Sequence, residues 1–436
     1  MPKANTQIRI STAPPHERVR WLDFPVQVTW QLKGSWLIGA VLVLLALVLG
    51  ACSNESQTSK VYYVDGAAVS AGDGMSWETA FTHPQDALNV ATDGDQVWVA
   101  QGIYGPLDPV GGEVVRLKTG ITLLGGFVGT ESEPDSRDPG SAVTVLDGQG
   151  NSYHVVTGAD RAVIDGFTVT GGSAVGNMPQ SSNGGTFSGG GMFNSGVAPV
   201  IRNCLFIGNA ASFNGGAIFN EDSDPLIVDC VFEGNTANFG GAMDNRDSSP
   251  TVVNTKFQNN VATVSGGAAT NFGGSPVFIN AVFSGNRATQ VGGAVLSNTS
   301  NGIFTNSSFI GNSAGPSGGG IGTWKGNVNL TNSILWDNRS DDGIGVSNAG
   351  GVVKVLYSIV QGGYAGTGNL DEDPGFEQNG YWDVDGFWVE GDYHMNSVSP
   401  AVDSGTDSSA PNFDADNNPR PQSIAHDIGA YERTVP

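Results

Sequence analysis

Apolar and polar positions through the middle of this chain recur with a period of 25–26 residues. The clearest marker is an aromatic-x-x-Asn phrase. It runs from Phe206 to Asn209, Phe232 to Asn235, Phe257 to Asn260, Phe283 to Asn286 and Phe309 to Asn312, with Leu335 replacing Phe before Asn338. Successive Phe or Leu positions lie 26, 25, 26, 26 and 26 apart. A Gly doublet followed by small or apolar residues returns in step: Gly190-Gly191, Gly215-Gly216, Gly240-Gly241, Gly266-Gly267, Gly292-Gly293 and Gly319-Gly320. Between the two phrases run short apolar segments such as Pro199-Val200-Ile201, Pro225-Leu226-Ile227 and Pro276-Val277-Phe278. Apolar residues at helical spacing are missing here, and the runs are bounded by Gly, Pro and Asn, so they read as strands and turns. A fixed period of this length marks a solenoid.

Superposing the copies produces columns of like residues. Ile201 recurs as Ile227, Val252, Phe278, Phe304 and Leu330, always apolar. Asn203 recurs as Asp229, Asn254, Asn280, Asn306 and Asn332, and Ala211 as Ala237, Ala262, Ala288, Ala314 and Ser340. Stacked, in-register strands about 4.8 Å apart require such columns. Asn tolerates left-handed backbone, so its column belongs at a bend, and Gly doublets permit positive φ at corners. The pattern predicts an all-β fold, a right-handed parallel β-helix with about three short strands per coil. Pro84-Gln85-Asp86-Ala87-Leu88-Asn89-Val90-Ala91 is the one segment with helical spacing, and it suits a lid over the open N-terminal coil, with Ala87, Leu88 and Ala91 facing inward. The helix is predicted over residues 61–367, its regular repeats over about 186–345. From residue 368 the repeat phrase stops and Trp382, Trp388 and Tyr393 arrive, so residues 368–436 read as an irregular cap on the last coils.

The paired Gly-Gly-Ala-Ile and Phe-x-x-Asn phrases resemble the polymorphic outer-membrane-protein repeat of chlamydial surface proteins. The flanks are similar to bacterial surface β-helices of the pectin-lyase-like group: Val61-Tyr62-Tyr63-Val64-Asp65-Gly66, Gly94-Asp95-Gln96-Val97-Trp98-Val99-Ala100 and Gly125-Gly126-Phe127-Val128-Gly129. Ser399-Pro400-Ala401-Val402-Asp403-Ser404-Gly405 and Asp427-Ile428-Gly429-Ala430-Tyr431-Glu432 resemble a choice-of-anchor Q closing segment. The resemblance spans about residues 61–433. It implies a β-helix; lyases, adhesins and proteins of no known role share these features, so it does not select an activity.

The first residues carry a separate message. Lys3, Arg9, Arg18, Arg20 and Lys33 precede an uncharged apolar run over residues 36–51. Sixteen residues suit a signal-peptide core better than a membrane span. The run ends Leu49-Gly50-Ala51-Cys52, which resembles a bacterial lipobox. The expectation is a lipoprotein signal peptide over 1–51, lipid attachment at Cys52, a polar tether over 52–60, and residence in the bacterial envelope outside the cytoplasm. Residues 1–51 hold five of the 19 Lys and Arg and two of the 42 Asp and Glu, leaving 14 against 40 and a net charge of −26. Such a balance argues against nucleic acid, and against holding polyuronates by charge alone. It suits a monomeric surface protein, with Ca²⁺ the cofactor to look for. Cys204 and Cys230 share one column and read as buried thiols rather than a disulfide, because in-register side chains point the same way.

Chemistry is sparser. Asp222, Asp224, Asp244 and Arg246 fall on adjacent coils and form the most enzyme-like group, set against the plainer reading of a solvated turn column. Asp414, Asp416 and Asn418 place oxygen donors at alternate positions, as a hard cation requires, although Pro419 stands where a calcium loop needs Gly. Phe213, Phe239, Phe272 and Trp324 recur near the Gly doublets and would form a coil-spaced strip for stacking on sugars, or would simply cover corners. The expectation is a lipid-anchored surface scaffold for adhesion to a glycan or protein. The alternatives are a polysaccharide lyase or glycoside hydrolase, and a purely structural envelope protein.

Overall fold

The computed structural model describes residues 59–108, 111–175, 187–343 and 345–434. The signal peptide, Cys52 and nearly all of the tether lie outside the described residues. From Lys60 onward the chain winds into a right-handed parallel β-helix with three sheets of 11, 14 and 9 strands, called I, II and III below. One coil illustrates the rest. Leu226–Val228 lies in sheet I, Val231–Glu233 and Thr236–Phe239 in sheet II, and Met243–Arg246 in sheet III. Each pairs in parallel register with its copy in the next coil, as in Phe232↔Phe257 and Ile227↔Val252.

The register explains the sequence phrases. Phe206, Phe232, Phe257, Phe283 and Phe309 are fully buried and stacked, with ring centroids 4.6–5.1 Å apart and planes within 12°. The coil spacing imposes this near-parallel offset stack. Three residues on, Asn235, Asn260, Asn286 and Asn312 each donate from Nδ2 to the Oδ1 of the next Asn, as from Asn260 to Asn286 at 2.9 Å, and to a Phe carbonyl one coil back, as from Asn260 to Phe232 at 2.9 Å. The Asn oxygen also accepts the backbone N–H of the preceding Asn. Every polar atom of a fully buried amide is thereby satisfied, which is what makes an interior Asn tolerable. The other predicted column, Asn203 to Asn332, adopts left-handed φ of 48–53° between sheets I and II.

The two glycines of a doublet do different jobs. Gly240 has φ 60°, which a side chain would strain. At Gly241 a Cβ would sit 2.2 Å from the carbonyl oxygen of Gly267, so this position is small because the next coil is too close. The α-helix Pro84–Val90 covers the first coil with Ala87 and Leu88 buried, as expected, and Ala91 is buried at its end. Cys204 and Cys230 are free and buried, each donating its thiol to the carbonyl two residues earlier, Arg202 and Val228.

The last region departs from expectation. Residues 362–371 fold back on the final coil through bonds such as Tyr357 N–H to Thr367 O and Leu370 N–H to Ser358 O. Beyond them the chain does not cap the end. It runs back along the outside of sheet II, forming two short antiparallel ribbons, Phe376–Gln378 with Asp392–Met395 and Tyr381–Trp382 with Trp388–Val389. Phe376, Trp388, Tyr393, Met395, Ile428, Ala430 and Tyr431 bury the outward side chains of Val282, Ile310, Ile334 and Ile359. Farther along, this segment takes over the Asn column. Asn254 donates to Asn417 Oδ1, Asn280 to the Phe413 carbonyl, Asn306 to Asp427 and Asn332 to Thr406. The physical reason is that outward apolar residues of sheet II need cover, while the short returning segment 362–371, bridged in parallel to Ile359 through Leu370, already covers the end of the coil.

Candidate functional site on the third sheet

Sheet III presents two outward columns. Met192, Ile218, Met243, Ala269, Val295 and Ile321 point into the core, and alternation turns their successors outward. One outward column reads Phe193, Phe219, Asp244, Thr270, Leu296, Gly322. The other reads Ser195, Glu221, Arg246, Phe272, Asn298, Trp324. The first is tucked under the loops that lead into the Gly doublets, so Phe219, Asp244, Thr270 and Leu296 are buried. The second stays open: Phe272 is 46% and Trp324 57% exposed.

Arg246 and Asp244 do come together, at 3.4 Å from Nε to Oδ1. Arg246 Nη2 also donates to Asn214 Oδ1 at 3.0 Å, and its guanidinium carbon lies 5.8–6.0 Å from the ring centres of Phe213, Phe219 and Phe272. Asp244 is 1% exposed, and burial pushes its carboxyl up to about 7 in spite of the adjacent guanidinium. Asp222 and Asp224 stand apart from this pair. Asp222 is an exposed left-handed corner residue, and Asp224 accepts the Ser249 N–H at 2.5 Å. Among the described residues, neither carboxylate bonds the side chain of Asp244 or Arg246; Asp222 meets Arg246 only through its backbone N–H, which donates to the Arg246 carbonyl at 3.1 Å. The four residues named from sequence thus divide into one half-buried ion pair and two turn carboxylates.

The aromatic residues divide in the same way. Phe272 and Trp324 share the open column. Phe213, on the loop before its Gly doublet, and Phe239, at the end of the sheet II strand Thr236–Phe239, are half-buried and edge-on to each other at 6.0 Å. Phe213 therefore acts as a wall for Arg246, and Phe239 as a corner cover.

The cation reading of Asp414, Asp416 and Asn418 gives way to a different arrangement. Asp414 is buried and its two oxygens accept from the N–H groups of Asp416, Asn418 and Glu432 and from Asn418 Nδ2. Carboxylate oxygens occupied by four N–H donors form a turn, not a cradle for Ca²⁺. Asp416 points instead at His394, whose two ring nitrogens contact Asp416 at 2.6 Å and Asp392 at 2.5 Å. Among the described residues, no group of three or more His, Cys, Asp and Glu side chains has metal-site geometry.

The His394 cluster escaped sequence reasoning. Asp392 and His394 are two apart, but Asp416 is 22 residues on, and only the fold of the flanking segment brings it in. The ring of His394 lies 4.2 Å from that of Tyr431, over which sits the Lys256 ammonium at 5.6 Å. Bonding to Asp416 and then Asp392 raises the His394 imidazolium to about 9 against the cost of partial burial. Tyr431, with Asp416 and Asp392, likewise raises the Lys256 ammonium. Firmly held charge states of this kind fasten the flanking segment to sheet II. Nearby, the Arg420 guanidinium is buried against Glu432 at 2.9 Å and bonds the carbonyls of Asp427 and Gly429.

No protein-family model matches this chain, and no curated protein matches it. Among solved structures, the crystal structure of pectate lyase Pel9A aligns over 86% of this chain and 97% of its own length, at 15% sequence identity and a TM-score of 0.45.

Proposed function

We propose that this protein is an extracytoplasmic scaffold that binds a polysaccharide along the outer face of sheet III, held in the envelope by a lipid on Cys52. The observation that carries the reading is the open column itself. Phe272 and Trp324 are the large exposed apolar side chains of sheet III, they occupy one column, and Asn298 separates them. Two coils separate them by about 9.6 Å, roughly two sugar units of an extended chain. An aromatic face covers the C–H face of a sugar while Asn298, between the two rings, addresses its hydroxyls. Binding is favoured over turnover because the carboxylate closest to the guanidinium, Asp244, is buried and paired with Arg246.

Titration calorimetry against a panel of neutral hexose and pentose oligosaccharides tests the proposal. Trp324→Ala and Phe272→Ala should each weaken the best ligand about tenfold, equivalent to about 1.4 kcal/mol. A wild-type protein that ignores the whole panel, or variants that bind it unchanged, would end the reading. Release of reducing or unsaturated sugar ends during the same incubations would instead support the lyase or hydrolase alternative.

A further inference from the structure

Arg246 is the only basic residue in either outward column of sheet III between Met192 and Ala349. An exposed arginine on a solvated surface ordinarily samples many rotamers and contributes little. This one is fixed. The Asp244 carboxylate takes Nε from below, the Asn214 amide takes Nη2 from the side, and both partners are at least 98% buried. Asn214 is itself held by its Nδ2 bond to Ser188 Oγ at 3.3 Å and by bridges to Ser188 and Phe239 on the adjoining coils. Phe213, Phe219 and Phe272 frame the guanidinium. The side chain nevertheless keeps 37% of its surface open, and among the described residues Nη1 makes no hydrogen bond.

We propose that Arg246 forms an acid-selective subsite at one end of the strip, taking the carboxylate of one acidic sugar whose neutral neighbours lie over Phe272 and Trp324. The inference rests on the glycan-binding reading above. A planar fork with its orientation already set loses little freedom on binding, and it pairs with a carboxylate through two parallel N–H bonds. The three aromatic rings about the guanidinium shield part of it from water and strengthen that pairing. The surroundings set the composition of the ligand. Glu221 is the in-register neighbour of Arg246, Asp222 and Asp247 stand at the corners beside it, and the mature chain carries −26 overall. A uniformly charged polymer would bring further carboxylates against Glu221, Asp222 and Asp247 and against the net negative charge. A chain with isolated acidic units among neutral ones meets only the guanidinium.

The test uses the full chain and matched tetrasaccharides: neutral, carrying one sugar carboxylate, and carrying one sulfate in its place. Calorimetry on wild type should show the carboxylated compound bound about tenfold tighter than the neutral one. Arg246→Gln should erase that preference and leave neutral binding unchanged, whereas Arg246→Lys should recover only part of it, since an ammonium lacks the fork. Trp324→Ala should weaken both compounds alike. Equal wild-type affinities for neutral and carboxylated compounds, or a preference that survives Arg246→Gln, would overturn the subsite and leave the scaffold reading standing. Failure of all three to bind would remove the scaffold reading itself. A sulfated compound bound as tightly as the carboxylated one would overturn the carboxylate assignment. An unchanged melting temperature of Arg246→Gln shows that its effect is not unfolding.

Discussion

The outer faces of sheets II and III belong to the same coils and the same interior ladders, yet they have opposite fates. On sheet II the outward residues of the later coils are apolar, Val282, Ile310, Ile334 and Ile359, and the chain returns to bury them. On sheet III the corresponding stretch holds Arg246, Phe272, Asn298 and Trp324, and nothing from the described chain covers it. A solenoid interior must repeat because each coil packs on a copy of itself. Its exterior is under no such constraint. The departures from periodicity outside are therefore where the molecule differs from a plain coil, either to hold its own tail or to meet a ligand.

The largest effect should come from breaking what the two faces share. Phe257→Ala removes a fully buried ring from the middle of the stack, at a cost of about 3–5 kcal/mol. Hydrogen exchange should accelerate over the coils either side, around residues 232–283, and spare distant ones. Unchanged exchange there would contradict the stack.

Trp388→Ala should act on the sheet II face alone. This side chain packs so closely on Gly311 that a Cβ there would lie 2.1 Å from the indole. Its loss should cost about 3 kcal/mol, the low end for a buried tryptophan because a surface segment can settle into the gap. Limited proteolysis should then cut within residues 376–395 while the coils stay protected. By contrast, Trp324→Ala on the open face should leave stability within about 0.5 kcal/mol of wild type. A large loss of stability there would mean that Trp324 is structural.

The smallest and most local effect is ionic. His394 has a folded pKa of about 9 against an ordinary 6.5, so the stability it lends is fully present below pH 6.5 and is lost as pH rises through about 9. Melting of the flanking segment, followed by tryptophan fluorescence, should therefore move down between those values. His394→Gln should abolish that dependence. A midpoint in wild type that is flat across this range would show that the Asp392–His394–Asp416 bridge contributes nothing.

The amino-acid sequence by itself determined the coil. Phe206 to Leu335 and Asn209 to Asn338 announce the period, and a parallel stack lets each column be read off a single chain because every partner is the same residue one period away. The N-terminal lid and the left-handed corners were legible for the same local reasons. The site was legible only in pieces. Asp244 and Arg246 could be named as neighbours, and Phe219 and Phe272 stand in register with them, but Phe213 and Asn214 reach the guanidinium only through the way the loop before a Gly doublet folds over sheet III. Tertiary structure alone decided that residues 376–433 lie along sheet II, that Asp416 serves His394 rather than a cation, and that Asn254, Asn280, Asn306 and Asn332 bond to them. Those contacts join residues up to 163 positions apart with no repeating spacing, so no local pattern encodes them. They form because outward apolar and amide groups of one face require burial and partners that the coil cannot supply.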